Sequence, residues 1–209
     1  MEETAFSLSS GVPLPAEKRE DERYLTLFRV GSLMVSGERQ LCLIKNISAG
    51  GMLIRAYSQL TAGTPVTVEL KQGQHVDGVV SWVEASNAGI RFDSRIDVVD
   101  LLAISTEGPR PRMPRIEIRC MASVRIGAQV YGMLARDISQ GGMKVDSERS
   151  LQVGSDLVVS LPAMSPISGV LRWGSGGSYG IGFNRLLALS ELVDWLKNQR
   201  EPFAATGSD

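Results

Sequence analysis

Asn46-Ile47-Ser48-Ala49-Gly50-Gly51 occurs a second time as Asp137-Ile138-Ser139-Gln140-Gly141-Gly142, 91 positions further on, and each copy runs into a methionine, Met52 and Met143. A short polar side chain, a hydroxyl and two glycines predict a tight turn. Asn or Asp can close an Asx turn on its own backbone. Paired glycines can adopt positive φ and let another group approach the main chain. Successive amides in such a turn form a concavity suited to phosphate oxygens.

Working outward, the offset of 91 holds without a gap. Between 46–92 and 137–183, 15 of 47 positions are identical, where roughly 3 are expected at background composition. The identities fall at structural punctuation: Gly63 with Gly154, Gly78 with Gly169, Trp82 with Trp173, and Gly89-Ile90-x-Phe92 with Gly180-Ile181-x-Phe183. Two copies of one domain follow. The divisions expected are a flexible N-terminal tail over 1–14, a first domain over 15–105, a linker at 106–109, a second domain over 110–200 and a tail over 201–209.

Within the first copy, short β-like runs cover 24–34, 40–45, 52–55, 65–70, 76–83 and 89–92. Val66, Val68 and Leu70 alternate with Thr67 and Glu69, the period of a half-buried strand. Six short strands punctuated by glycine turns predict a small antiparallel barrel in each copy. Helical spacing at Val98, Leu101 and Leu102, and again at Leu189, Leu192, Val193 and Leu196, predicts a helix closing each one. The fold class is therefore all-β with short helices. Trp82 and Trp173 each end an apolar run, which points to the barrel core or mouth, although either indole could stack on a ligand base.

Composition narrows the function. The formal net charge is −1, so no bulk field favours a long nucleic acid. No apolar run approaches the ~18 residues of a membrane span, and Met1-Glu2-Glu3-Thr4 opens no secretory signal, so a cytoplasmic protein is expected. Cys42 and Cys120 occupy different repeat positions, form no CxxC, and read as free thiols. His75 is the only histidine, and Pro166 stands at its repeat position. That leaves no histidine triad and no metal cluster. The glycines match neither a dinucleotide fingerprint nor a P-loop, and no enzyme activity or cofactor is expected.

What remains is arginine near the polar turn. Arg19 and Arg23 precede the first strand. Arg110, Arg112, Arg115 and Arg119 precede or open the second domain. A guanidinium can pair bidentately with phosphate or with the O6/N7 edge of guanine, and can stack on a base.

Arg19-x-x-x-Arg23 followed by Asn46-x-Ser48-x-x-Gly51 resembles the PilZ domain, the bacterial receptor module for cyclic di-GMP, and the resemblance covers about 17–105 and 108–199. It implies a six-stranded antiparallel barrel with a C-terminal helix. It also implies that Arg19 and Arg23 grip guanine and phosphate while Asn46, Ser48, Gly50 and Gly51 line the other side of the ligand. In the second copy Arg110 falls opposite Arg19, but Pro114 falls opposite Arg23 with Arg115 one place on. The candidate set there is Arg110, Arg112, Arg115, Asp137, Ser139, Gly141 and Gly142. Arg115-x-x-x-Arg119 also fits the spacing, but lies too close to Asp137 and places Arg119 inside a strand.

The expected function is a receptor that binds the dinucleotide and changes its inter-domain arrangement or its hold on an unidentified protein effector. The alternative is an interaction module that does not bind nucleotide and presents its arginines to an acidic protein. A barrel binding single-stranded nucleic acid is disfavoured by the 6% aromatic content and slightly negative charge.

Overall fold

A computed structural model describes residues 25–71, 74–98 and 113–200. The first barrel comprises β1 (Leu25–Val35), β2 (Glu38–Ser48), β3 (Gly51–Ala56), β4 (Pro65–Lys71), β5 (Gln74–Glu84) and β6 (Asn87–Phe92). The second comprises β7 (Ile116–Ile126), β8 (Gln129–Ser139), β9 (Gly142–Asp146), β10 (Asp156–Ser160), β11 (Ile167–Ser175) and β12 (Ser178–Phe183), followed by helix α1 (Leu189–Arg200). Each sheet is antiparallel and closes on itself, in the orders β1-β2-β3-β6-β5-β4 and β7-β8-β9-β12-β11-β10. Closure removes the exposed edges an open six-stranded sheet would carry.

The two barrels repeat at the level of register. Ile44 faces Ile54 and Ala135 faces Val145; Val80 faces Ile90 and Leu171 faces Ile181. The interiors repeat as well. Leu33, Ile44, Ile54, Val68, Val80 and Ile90 are buried in one barrel, with Val124, Ala135, Val145, Val159, Leu171 and Ile181 at the same places in the other. Tight hairpins set the registers. Ser36 and Gly37 have φ of 51° and 82°, and Gly176 and Gly177 have 56° and 80°. Two successive left-handed residues make the type I′ turn that matches strand twist.

Helix α1 buries Leu192, Val193, Trp195 and Leu196, and the Trp195 indole N–H donates to the Pro162 carbonyl at 2.7 Å. It begins at Leu189, the first of the apolar positions whose spacing predicts it, and runs on past Leu196 to Arg200. The expected helix at 96–104 lies, beyond Val98, outside the described residues, as does the linker at 106–109.

The barrels touch. Leu41 points away from its own barrel interior, yet it is 6% exposed because it joins the hydrophobic cluster of the second barrel, with Val30 and Tyr57 packed alongside. It lies with Ile116 of β7 and with Val193 and Leu196 of α1 around a shared apolar crevice.

Candidate functional site

Strand bulges build the site. In β2 both Ile44 and Ile47 are buried at 1%, although they are three residues apart. Strict alternation forbids that; the pairing shifts between Ile44 and Asn46, and the extra residue turns Asn46 to the outer face. Ala135, Ile138 and Asp137 repeat this in β8. A second bulge follows Val80 in β5 and Leu171 in β11. It turns Trp82 and Trp173 outward, 42% and 44% exposed. The placement of these tryptophans in the barrel core is thus corrected: alternation counted inward from Val80 or Leu171 fails across a bulge.

The two bulges align four residues across four strands. In the second barrel Asp137 pairs with Lys144, Lys144 with Gly180, and Gly180 with Trp173. In the first barrel the same row is Asn46, Leu53, Gly89 and Trp82. The glycine is what completes it. A Cβ on Gly180 or Gly89 would occupy the indole of Trp173 or Trp82, so each ring covers the adjacent bare strand.

The polar turn differs from its expected form in three ways. First, Asn46 and Asp137 sit within strands, and the hydrogen-bonded ladder continues to Ser48 opposite Gly51 and Ser139 opposite Gly142. Only Ala49-Gly50 and Gln140-Gly141 form the turns. Second, the positive-φ glycines among the described residues are Gly37, Gly63, Gly127, Gly154, Gly176 and Gly177, so Gly51 and Gly142 do not need glycine for that reason. They need it because a Cβ would strike the carbonyl oxygen of Ile90 or Ile181 on the neighbouring strand. Third, each serine serves the hairpin: Ser48 Oγ donates to the Gly51 carbonyl at 3.2 Å, and Ser139 Oγ to the Gly142 carbonyl at 3.1 Å.

The turns are also clamped from behind. The Gly50 and Gly141 carbonyls accept from the amides of Phe92 and Phe183, both at 2.9 Å. The Gln140 carbonyl accepts from Leu187 N–H, and the Gln140 side-chain amide returns a bond to the Leu187 carbonyl at 2.8 Å. Both turns are thus tied to the neighbouring strand, and the second also to the segment before α1.

Arg115, Asp137, Ser139, Gly141, Lys144 and Trp173 line one open concavity on the second barrel. Arg115 forms an ion pair with Asp137 across its mouth. Next to it, Asp146 accepts from Ser178 Oγ at 2.7 Å and from Arg136 at 2.5 Å. The serine bond foremost, then the guanidinium, hold its carboxyl below the usual carboxylate range.

Arg19 and Arg23 of the first site, and Arg110 and Arg112 of the second, lie outside the described residues. Arg119 lies within β7, exposed, as its sequence position predicted. Lys144 is the residue that sequence reasoning missed. The signal was present at a non-identical repeat position, Leu53 in one copy and lysine in the other. Among the described residues, no group of three or more His, Cys, Asp or Glu could hold a metal ion. None of the helices there is long and apolar enough to cross a membrane.

Tandem antiparallel barrels carrying the same outward row and the same clamped polar turn define a class of small-barrel repeat proteins. The family model described as "PilZ domain" matches twice, over residues 17–106 and 109–197, and the chain belongs to that family. No curated protein matches the chain significantly. Among solved structures it is similar to the PlzA protein of Borreliella burgdorferi in complex with c-di-GMP, at 14% identity over 80% of this chain and 86% of that one, TM-score 0.38. It is similar to the Bacillus subtilis inhibitor of motility MotI/DgrA, at 16% identity over 84% and 100%, TM-score 0.32. It is similar also to YcgR from Escherichia coli in complex with c-di-GMP, at 16% identity over 81% and 80%, TM-score 0.31. Superpositions at this level add no weight to the assignment, which rests on the sequence match.

Proposed function

We propose that the protein is a non-enzymatic receptor for cyclic di-GMP, built as two units, 15–105 and 110–200, joined at 106–109. The observation that carries this reading is the complete Arg19-x-x-x-Arg23, Asn46-x-Ser48-x-x-Gly51 pattern in a PilZ-family chain, with Asn46 turned outward in line with Trp82. The arginines preceding β1 supply bidentate donors for guanine or phosphate. Asn46 supplies a hydrogen-bonding edge, and the half-exposed indole supplies a face for a base.

Ligand at the second barrel acts on the inter-barrel contact. Arg115 adjoins Ile116, and Ile116 borders the crevice that Leu41 and α1 share. Engaging the arginines before β7 with a ligand therefore shifts packing where the barrels meet, and exposes or hides a surface for a protein effector.

Titration calorimetry with cyclic di-GMP on the wild type, Arg19→Ala and Arg110→Ala tests the reading. Absence of heat with the wild type at tens of micromolar ligand rejects it. Full binding by both variants rejects the assigned arms.

A second reading has one observation in its favour. Arg115 already satisfies Asp137 in the second barrel, as expected of a unit that presents a fixed surface to a protein and binds no nucleotide. Thermal melting separates the two, because a ligand that binds only the folded state raises the midpoint.

A further inference from the structure

The two copies differ in where they carry positive charge. The first has Arg23 at the second arginine position of the arm and Leu53 on the barrel wall; the second has Pro114 at the arm position and Lys144 on the wall. The arm cation is displaced by one place, to Arg115, which is held by Asp137, and one cation is gained on the barrel. Lys144 is half-buried, stands between Asp137 and Gly180 in the transverse row, and lines the concavity that Trp173 bounds on the far side. Among the described residues Lys144 makes no hydrogen bond or ion pair; it is attracted at longer range by Asp146, whose carboxylate is already bonded to Ser178 and Arg136, while Asp137 is engaged by Arg115.

Charge decides what this arrangement accepts. Arg115 and Asp137 cancel, so without Lys144 the described wall is neutral, as it is in the first barrel with Asn46 and Leu53. A cyclic dinucleotide carries two phosphodiester charges, and burying one against a neutral wall costs its desolvation. An ammonium group is a compact partner for phosphate that demands no particular approach plane. With Trp173 across Gly180, the row offers a point charge for phosphate and an aromatic face for the attached base.

We propose that Lys144 is the phosphate-binding cation of the second barrel, in place of the arm arginine that is shifted to Arg115 and taken up by Asp137. This inference rests on the receptor reading above, and makes the second barrel a competent site of altered design.

The test uses the full chain with the first site silenced by Arg19→Ala, titrated with cyclic di-GMP at two salt concentrations. Lys144→Leu installs the residue the first barrel carries at this place, so folding is preserved and is verified by melting without ligand. It is expected to weaken the remaining site by about tenfold or more, the loss typical of a charge-assisted hydrogen bond, and to flatten its salt dependence. Lys144→Arg is expected to keep both. In the reciprocal experiment, Leu53→Lys is expected to restore part of the binding that Arg23→Ala removes from the first barrel. Unchanged affinity and salt dependence in Lys144→Leu overturns the role of Lys144 while leaving the receptor reading intact. Complete loss of binding in Arg19→Ala alone shows the second barrel to be incompetent and overturns it likewise. Absence of any binding by the wild type overturns the receptor reading itself.

Discussion

Trp173 covers Gly180: the indole takes the space that a Cβ on that residue of β12 would need. Gly180→Ala must therefore push the ring aside. Because the ring is 44% exposed, it can move outward at little cost. Stability is expected to change by less than about 1 kcal/mol, while tryptophan emission shifts to the red and ligand affinity at the second barrel falls. A variant with wild-type emission and wild-type binding would show that the indole contributes nothing to the site.

Gly51 and Gly142 have a different reason for being glycine, and their substitution reads differently. A Cβ on either meets a backbone carbonyl, of Ile90 or Ile181, that is fixed within a closed sheet. Gly51→Ala and Gly142→Ala are each expected to cost about 1–3 kcal/mol, the range for overpacking a tight site. Urea unfolding without ligand measures this. A destabilisation seen only when ligand is present would return these glycines to a direct binding role.

The repeat and the barrels were legible because a 91-residue offset and period-2 alternation are local, additive signals. The bulges were not. One extra residue after Ile44 or Val80 reverses the facing of all that follows, and no residue type announces it; so of the two places expected for Trp82 and Trp173, core or mouth, the core is excluded and both rings face outward. The turn was read too early for a related reason. Asn46 and Ser48 have turn-forming side chains, but the ladder carries both in β2, and the chain reverses only at Ala49-Gly50. Of the candidate site, the wall is described and its polar residues share one rim; the arm arginines at 19, 23, 110 and 112 lie outside the described residues. Lys144 has no signature of its own in the sequence, because it stands where the two copies differ and the first carries Leu53.

The two thiols should react at very different rates. Burial pushes Cys42 up to about 12 despite a backbone hydrogen bond with Gly31 that opposes it. At pH 8 about one molecule in 10,000 carries the thiolate there. Cys120 is also raised by burial, but it is only partly enclosed. Alkylation of the native protein followed by mass spectrometry is expected to label Cys120 first and Cys42 only at the rate of unfolding. Equal labelling of both would contradict the burial of β2.

Asp146 gives a pH signature with a definite sign. Its hydrogen bond from Ser178, and secondarily its contact with Arg136, lower its folded-state pKa. The unfolded value lies near 4. The contribution to stability is thus complete above about pH 4 and fades as pH falls through the depressed folded value. Carboxyl titration by NMR should find its midpoint below the ordinary range, moving upward in Ser178→Ala. The carboxylate is about a third exposed, so solvent screening keeps the effect on global stability small. An unshifted midpoint in the wild type would deny the Ser178 bond.

Leu41 offers the cleanest separation of barrel stability from barrel arrangement. Its side chain adds nothing to the interior of its own barrel, where Cys42 and Ile44 do the filling, and is buried in the second barrel's cluster beside α1, with Val30 and Tyr57 alongside. Leu41→Ala removes buried aliphatic surface from that contact at a cost of about 2 kcal/mol, the low end for burial in a core, because one side can collapse toward solvent. Leu41→Asp puts a carboxylate into that apolar contact and should part the two barrels so that it reaches water and the Arg39 and Lys197 groups at the crevice rim. In small-angle scattering the radius of gyration is expected to rise in Leu41→Asp, while amide spectra retain the strand pattern of both barrels. If the arginine arms act through this contact, ligand then binds without any further change in scattering; a ligand-induced change that survives in Leu41→Asp places the transmission elsewhere.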